Sequence, residues 1–288
     1  MKPLRLRIRD AAQRQGIPQE VIEKDYALSY ILAGIYSQPD IKDTLVFKGG
    51  TALKKLYFGE YRFSEDLDFS SKGSPSGKRL ENSLQEAVEE AKKLFSFQGL
   101  FTLRIERYLE REPHPHEQDA FTIRVQFPWH PGPLCRIKLE IAHNEPILLE
   151  PPRRRLLHGY DEELKCNICC YPLEEIVAEK LRTLLQTHQK LVSRGWNRPR
   201  ARDYYDLWRI FNEFYKELDT SLIGKLLELK NAHRGVSFQS IDDFFTDELV
   251  SETIRHWDTN LGPFLVDLPE FNMVMKGLKE LLPKLLSG

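Results

Sequence analysis

Two aspartates one residue apart, Asp66 and Asp68, have the types and spacing needed for chemistry. Alternate residues of a strand point to the same side, so both carboxylates would face one way while Leu67 and Phe69 enter a core. Carboxylates held that close repel each other unless a divalent cation neutralises them. Hard oxygen ligands favour Mg²⁺ or Mn²⁺, which commonly binds one or two carboxylates together with substrate phosphates. The pair therefore indicates a metal site that handles phosphates.

A glycine turn precedes the two aspartates. The short apolar run Leu45–Phe47 stops at Gly49-Gly50, as a buried strand does when it enters a tight turn. Glycine lets the backbone approach a phosphate closely, and the amides of such a turn open onto a helix N-terminus. Thr51 adds a hydroxyl donor. The order of strand, glycine turn and Asp-x-Asp strand predicts a nucleotide-handling site, although each motif alone is common in turns and exposed strands.

The sequence resembles the AbiEii/AbiGii toxin family of nucleotidyltransferases, within the polymerase-β-like superfamily. The first block of resemblance comprises Lys48–Leu53 and Arg62–Phe69, and the second comprises Glu175–Arg182 and Arg202–Leu207. The blocks occur in the family's order between residues 45 and 210. The spacing from the glycines to the aspartates is slightly longer than the general superfamily pattern, but it suits this branch.

The resemblance implies nucleotidyl transfer, in which a hydroxyl or phosphate attacks the α-phosphorus of an NTP and pyrophosphate leaves. It implies an NTP substrate, an RNA acceptor (the 3′ end of tRNA), and a cognate antitoxin. Asp66 and Asp68 would hold Mg²⁺ (or Mn²⁺), Lys180 would contact the triphosphate, and Asp203 would orient or deprotonate the acceptor hydroxyl. The implied nucleotide-binding residues are Lys48, Gly49, Gly50, Thr51, Arg62, Ser64 and Lys180.

Glu140 is the candidate for a third metal-binding carboxylate. Alternation along residues 135–141 places Glu140 with Lys138 on the side opposite the apolar Ile137 and Leu139. That orientation would let Glu140 meet the two aspartates across a sheet. The same pattern fits an exposed strand face on which Glu140 pairs with Lys138, and both interpretations stay open.

Lys180 also has two interpretations. It follows Ile176 by four residues along a helix with an apolar stripe, so periodicity alone indicates a lysine that reaches solvent from the edge of that stripe. The family resemblance instead makes it a phosphate ligand.

The interval from Lys180 to Arg202 holds seven basic residues and no acidic one. Clustered guanidinium groups bind phosphates, and an aromatic ring among them could stack on a base. The candidate RNA-binding residues are Arg194, Trp196, Arg198, Arg200 and Arg202. A solvated basic loop is the alternative.

Hydrophobic periodicity indicates the elements that must position these residues. Helical spacing predicts helices over 18–37 and 78–97, and alternation predicts strands over 101–105, 121–127 and 135–141. Beyond Pro172 nearly all of the chain has helical spacing, with breaks near Gly195, Gly235 and Gly262.

These elements predict an α+β fold with two domains. Residues 1–150 would form a nucleotidyltransferase core, a mixed or antiparallel sheet with flanking helices. Residues 151–288 would form a helical bundle that closes the nucleotide cleft.

Composition limits the setting of the protein. The 42 basic and 43 acidic residues leave a net charge of -1, so nucleic-acid binding would need a local patch. No apolar run approaches the roughly 18 residues that span a bilayer, which predicts no membrane association. Four cysteines without an export signal favour reduced thiols in the cytoplasm.

We therefore predict a cytoplasmic, Mg²⁺-dependent nucleotidyltransferase toxin of a toxin–antitoxin system that acts on tRNA. One alternative keeps the chemistry but uses a protein or small-molecule acceptor. Another alternative is a non-catalytic module that binds RNA or the antitoxin.

Overall fold

The computed structural model describes residues 2–108, 118–195 and 198–286. The chain divides into two compact units, Met1–Tyr171 and Pro172–Gly288. The first unit continues past residue 150 because two short strands pair beyond that point and the N–H of Tyr171 donates to the carbonyl of Phe47 at 3.0 Å. The predicted functional domains, 1–150 and 151–288, stay a prediction.

Five strands of the first unit, counted over the described residues, form one mixed sheet. They are β1 (Leu45–Lys48), β2 (Leu67–Ser71), β3 (Thr102–Tyr108), β4 (Gln118–Gln126) and β5 (Cys135–Ala142). Their order in the sheet is β1-β2-β5-β4-β3; β2 and β5 run parallel, and the other neighbouring pairs run antiparallel. The predicted α+β class with a mixed sheet is confirmed.

Alternation gives this sheet an apolar side and a polar side. In β5, Ile137, Leu139 and Ile141 are completely buried, whereas Arg136 and Lys138 are exposed. Apolar residues of β3 and β4 lie in register with those of β5 and share their side. We call the polar side of β3, β4 and β5 the open face; it carries Arg104, Arg124, Arg136 and Lys138, together with Glu106 and Glu140.

Helices cover the apolar side of the sheet. The helices of the first unit are α1 (Leu4–Gln15), α2 (Gln19–Ser37), α3 (Gly49–Ala52) and α4 (Gly77–Phe95). α2 contacts β5, and α4 contacts β3. The two helices also pack closely on each other, since a β-carbon at Gly34 would lie 3.1 Å from that of Ala91 and nearer still to the carbonyl of Ala87.

α1 lies outside the elements predicted from the sequence. Its Leu4 and Ile8, spaced by one helical turn, are buried, and its Arg7 forms an ion pair with Glu162. The unit ends with a small antiparallel pair, β6 (Arg153–Arg155) and β7 (Asn167–Cys169).

The described part of the second unit is helical, as predicted. Its helices are α5 (Leu173–Arg194), α6 (Ala201–Phe214), α7 (Thr220–Arg234), α8 (Asp247–Arg255), α9 (Trp257–Leu261) and α10 (Phe271–Leu286). α5 and α7 end where Gly195 and Gly235 adopt left-handed backbone, with φ of +75° and +61°. No helix among the residues described is long and apolar enough to cross a membrane.

A fully buried ion pair joins α5 and α7. The Nζ of Lys230 lies 2.9 Å from the Glu175 carboxylate, and neither side chain is exposed. Removing one partner of such a pair leaves a charge in the core that water cannot solvate.

We expect Lys230→Met to lower the free energy of unfolding by about 3–5 kcal/mol, because Glu175 would lose its buried counter-charge. Urea unfolding followed by circular dichroism measures the change. Lys225→Met on the same helix is the matched control, since its pair with Glu228 is exposed and should matter by less than about 1 kcal/mol. Equal unfolding midpoints for the two variants would contradict this account.

Candidate active site

The glycine turn, where β1 passes directly into α3 at Gly49-Gly50, is shaped by close contact with Asp68. Gly49 has a left-handed φ of +78°, and a β-carbon there would lie only 2.6 Å from Asp68 Oδ2. A side chain at position 49 would therefore strain the backbone and displace the carboxylate. Gly50 is packed against the guanidinium of Arg62 and lies near Ser64. Glycine at both positions lets the turn pack directly on polar side chains.

Thr51 fixes the turn to the aspartate strand. Its hydroxyl donates to the backbone carbonyl of Asp66 at 2.6 Å, and the residue is 1% exposed. The hydroxyl therefore has a structural partner in the protein. A nucleotide contact through this residue stays a prediction.

Three predicted site residues lie in one row across the sheet. In the strand register, Lys48 of β1 is opposite Asp68 of β2, which is opposite Glu140 of β5. Residues opposite each other in neighbouring strands share a face. Asp66 comes directly before β2, two residues from Asp68, and the charges of Lys138 and Glu140 of β5 act on its carboxylate.

The environment of Asp66 disfavours its ionised form. Although the residue is exposed as a whole, burial of its carboxyl group raises its pKa, and the negative charge of Glu65 adds to the effect. Glu140 acts in the same direction, while Lys138 and Lys24 oppose it. A bound cation would offset this cost.

The donor set fits a divalent metal that is shared with a substrate. Asp66 and Asp68 supply carboxylate oxygens, the ligand type that Mg²⁺ and Mn²⁺ prefer. Over the residues described, no group of three His, Cys, Asp or Glu side chains is arranged to hold a metal. Mg²⁺ that is bound by one or two carboxylates commonly takes substrate phosphates as further ligands.

The surroundings of Glu140 agree in part with each of the two interpretations drawn from the sequence. It lies beside Asp68 in register, yet its Oε1 is 2.5 Å from Lys138 Nζ. Its role as a metal ligand stays a prediction.

Lys180 of the second unit is held between two carboxylates of α6. Its Nζ lies 3.0 Å from Asp203 Oδ1 and 2.6 Å from Asp206 Oδ2. The Asp203 side chain is 18% exposed and that of Asp206 is completely buried. The structure thus brings Lys180 and Asp203 together, as needed for a joint role, and adds Asp206. The separation of three residues between the two aspartates is the sequence signal for this arrangement.

The candidate RNA-binding residues fall into two groups. Arg194 and Arg198 are exposed. Arg200 donates to Thr187 Oγ1 at 2.7 Å, and Arg202 donates to the Asn260 carbonyl at 3.2 Å. These two arginines therefore connect the start of α6 to α5 and α9. Trp196 lies outside the described residues.

A positive electrostatic field surrounds this end of α5. Burial lowers the pKa of Lys190, and the nearby positive charges of Arg200, Arg194 and Arg182 lower it further. This field favours an anionic ligand near the basic interval.

Comparisons with known proteins show what the chain as a whole is similar to. The model of the family described as "Nucleotidyl transferase AbiEii toxin, Type IV TA system" matches residues 30–281. The fold is similar to that of MenT4, nucleotidyltransferase toxin Rv2826c from Mycobacterium tuberculosis H37Rv, with a TM-score of 0.53 and 20% identity. That similarity covers 91% of this chain and 94% of the other. Among curated proteins, no match to the chain was found.

We expect Asp66→Asn to raise the free energy of unfolding at neutral pH when no divalent cation is present. A raised pKa means that the folded protein binds the Asp66 proton more tightly than the unfolded chain does. Stability therefore falls as the pH rises from the ordinary value of 3.8 through the raised pKa. The variant lacks this charge, so its advantage should disappear below the ordinary value.

Urea unfolding across the acid-to-neutral range measures this difference, with and without Mg²⁺. Mg²⁺ should stabilise the wild-type protein more than the variant, because binding to the folded state adds stability. Asp40→Asn is the control, since Asp40 pairs with Arg79 at the surface and its removal should have a small effect. A variant less stable than the wild type at neutral pH would refute the assignment.

Proposed function

The chain belongs to the AbiEii family of nucleotidyl transferase toxins, and on this premise we propose that it transfers a nucleoside monophosphate from an NTP to RNA. The proposed acceptor is the 3′ end of tRNA, and the proposed setting is the cytoplasm. Membership of a type IV toxin–antitoxin family also implies a cognate antitoxin. The observation that carries the proposal is the row of Lys48, Asp68 and Glu140 beside the glycine turn.

The residues of this row would bind and orient the triphosphate. A divalent ion held by Asp66 and Asp68 would stabilise negative charge on the entering and leaving oxygens. Lys48 would add a positive charge beside Asp68, and the backbone at Gly49 and Gly50 would allow close approach of a phosphate. Arg62 and Ser64, which pack at Gly50, are the other proposed nucleotide contacts.

The transfer is a substitution at the α-phosphorus. The acceptor hydroxyl oxygen forms a bond to this phosphorus, and the bond from phosphorus to the bridging oxygen breaks. Pyrophosphate leaves with the electron pair of that bond. We assign the hydroxyl proton to Asp203, whose partly exposed carboxylate can accept it.

We propose that Lys180 binds the triphosphate while it keeps its ion pair with Asp206. A lysine ammonium group has three hydrogen-bond donors. The buried Asp206 can keep one of them while the partly exposed Asp203 exchanges for a phosphate oxygen or the acceptor. Asp206 would thus be a positioning residue for Lys180.

An RNA acceptor is supported by the basic interval of the second unit. Arg194 and Arg198 are exposed and lie in the segment whose positive charges also lower the pKa of Lys190. Phosphate groups are the ligands that such a field attracts. Transfer to a protein or small-molecule acceptor would not require such a positive field.

The central experiment incubates the purified protein with total tRNA, Mg²⁺ and each α-labelled NTP in turn. We expect label in the RNA, and Asp68→Asn should reduce it by at least about a hundredfold because metal-assisted charge stabilisation contributes several kcal/mol. Asp40→Asn again serves as the control and should retain activity. Label that enters only protein or a small molecule would replace RNA as the acceptor, and the absence of any labelled product would overturn the transferase proposal.

The role of Lys180 can be separated from its contribution to folding. Lys180→Met should lower the free energy of unfolding by about 3–5 kcal/mol, because it removes the ammonium group 2.6 Å from the buried Asp206 carboxylate. Adding Asp206→Asn should restore most of that stability, as judged by urea unfolding. The double variant should nevertheless remain inactive in the labelling assay. If activity returned together with stability, Lys180 would be a structural residue and not a phosphate ligand.

A further inference from the structure

Three arginines stand side by side on the open face. In the strand register, Arg104 of β3 is opposite Arg124 of β4, which is opposite Arg136 of β5. Neighbouring strands lie about 4.8 Å apart, so three positive charges are aligned within a short distance. Like charges directly opposite each other destabilise a sheet.

Among the described residues, one ion pair offsets part of this positive charge. Arg124 lies 3.5 Å from Glu106, which is 59% exposed. Within the described part of the chain, Arg104 and Arg136 are exposed and neither has an acidic side chain at ion-pair distance. The row therefore keeps an excess of positive charge.

Protection of a sheet edge explains the presence of only one arginine of the row. Exposed charges on edge strands prevent unwanted pairing with other chains. Arg104 belongs to the edge strand β3, but β4 and β5 are interior strands of the sheet. Arg124 and Arg136 need another explanation, and an anionic ligand that spans all three strands supplies one.

The arginine row continues into the candidate active site along β5. Lys138 lies two residues beyond Arg136 on the same side, and its charge acts on Asp66. Glu140 follows and is opposite Asp68. At about 3.3 Å per residue, the arginine row is roughly 13 Å from the row of carboxylates. This distance corresponds to about four stacked nucleotides at 3.4 Å each.

We propose that the open face binds the phosphate backbone of the acceptor RNA just upstream of its 3′ end, through Arg104, Arg124 and Arg136. This inference rests on the proposed function, because it gives the acceptor strand a path to Asp66 and Asp68. Lys138 bridges the two rows. The site recognises phosphates on a single strand and therefore acts largely independently of base sequence.

The test measures binding of a fluorescein-labelled single-stranded RNA of about a dozen nucleotides by fluorescence anisotropy, without NTP. It compares the variant Arg104→Gln/Arg124→Gln/Arg136→Gln with the protein that retains these three arginines; both carry Asp68→Asn to suppress transfer. We expect the triple change to weaken binding at low salt about tenfold or more. The slope of log K against log salt should decrease in magnitude by about 2, since each phosphate contact on a single strand contributes about 0.7.

The matched control removes three exposed arginines of α1 in the same unit, Arg5→Gln/Arg9→Gln/Arg14→Gln, and should leave the salt slope unchanged. Circular dichroism should show that both triple variants are folded, because the open-face changes remove repulsion rather than packing. Binding of Mg²⁺–NTP, measured on the two triple variants with Asp68 intact, should be equal in both. Equal losses of RNA affinity in the two triple variants, or no loss in the open-face variant, would overturn the inference.

The outcome is separable from that of the proposed function. Transfer to RNA by the active protein together with unchanged RNA binding by the open-face variant would refute the inference alone. Loss of RNA binding in that variant, with no transfer by the active protein, would refute the proposed function and leave an RNA-binding surface.

Discussion

The close contact between the backbone at Gly49 and the carboxylate of Asp68 is the constraint on which the candidate site depends. Only a residue without a β-carbon can combine the left-handed backbone at position 49 with an oxygen 2.6 Å from where that carbon would be. The contact sets where β1 ends and how near the turn lies to β2. The hydrogen bond from the Thr51 hydroxyl to the Asp66 carbonyl joins the turn to the residue that precedes β2. Local geometry thereby holds the two aspartates beside the glycine turn.

Much of this site could be predicted because its signals are local in sequence. The glycine pair, the Asp-x-Asp strand and the polar alternation of β5 each depend on a few consecutive residues. The α+β class and the helical second unit followed from periodicity in the same way. The family resemblance added Lys180 and Asp203, which periodicity alone would have made an ordinary lysine and an ordinary helix residue.

The remaining features depend on which distant segments pair, and a single sequence does not encode that directly. Nothing in the order of residues showed that β5 would lie parallel to β2, so the register of Asp68 with Glu140 needed the structure. The sequence likewise did not indicate that the hydroxyl of Thr51 donates to the backbone carbonyl of Asp66, and its contact with a nucleotide stays a prediction. α1 was missed because its apolar residues are few and its arginines interrupt them. The arginine row could not be recognised from the sequence, because its members come from three separate strands.

The central place of β5 in the sheet has a consequence for how the protein is made. β1 with β2, and β3 with β4, are antiparallel neighbours that can pair early, whereas β5 must insert between these two pairs. Contacts between segments far apart in sequence form slowly, because loop closure must precede them. A nascent chain that has not yet extended through Ala142 carries the glycine turn and both aspartates but cannot complete the sheet that unites them with Glu140. Synthesis from the amino terminus thus delays completion of this part of the candidate site until the chain has extended through β5.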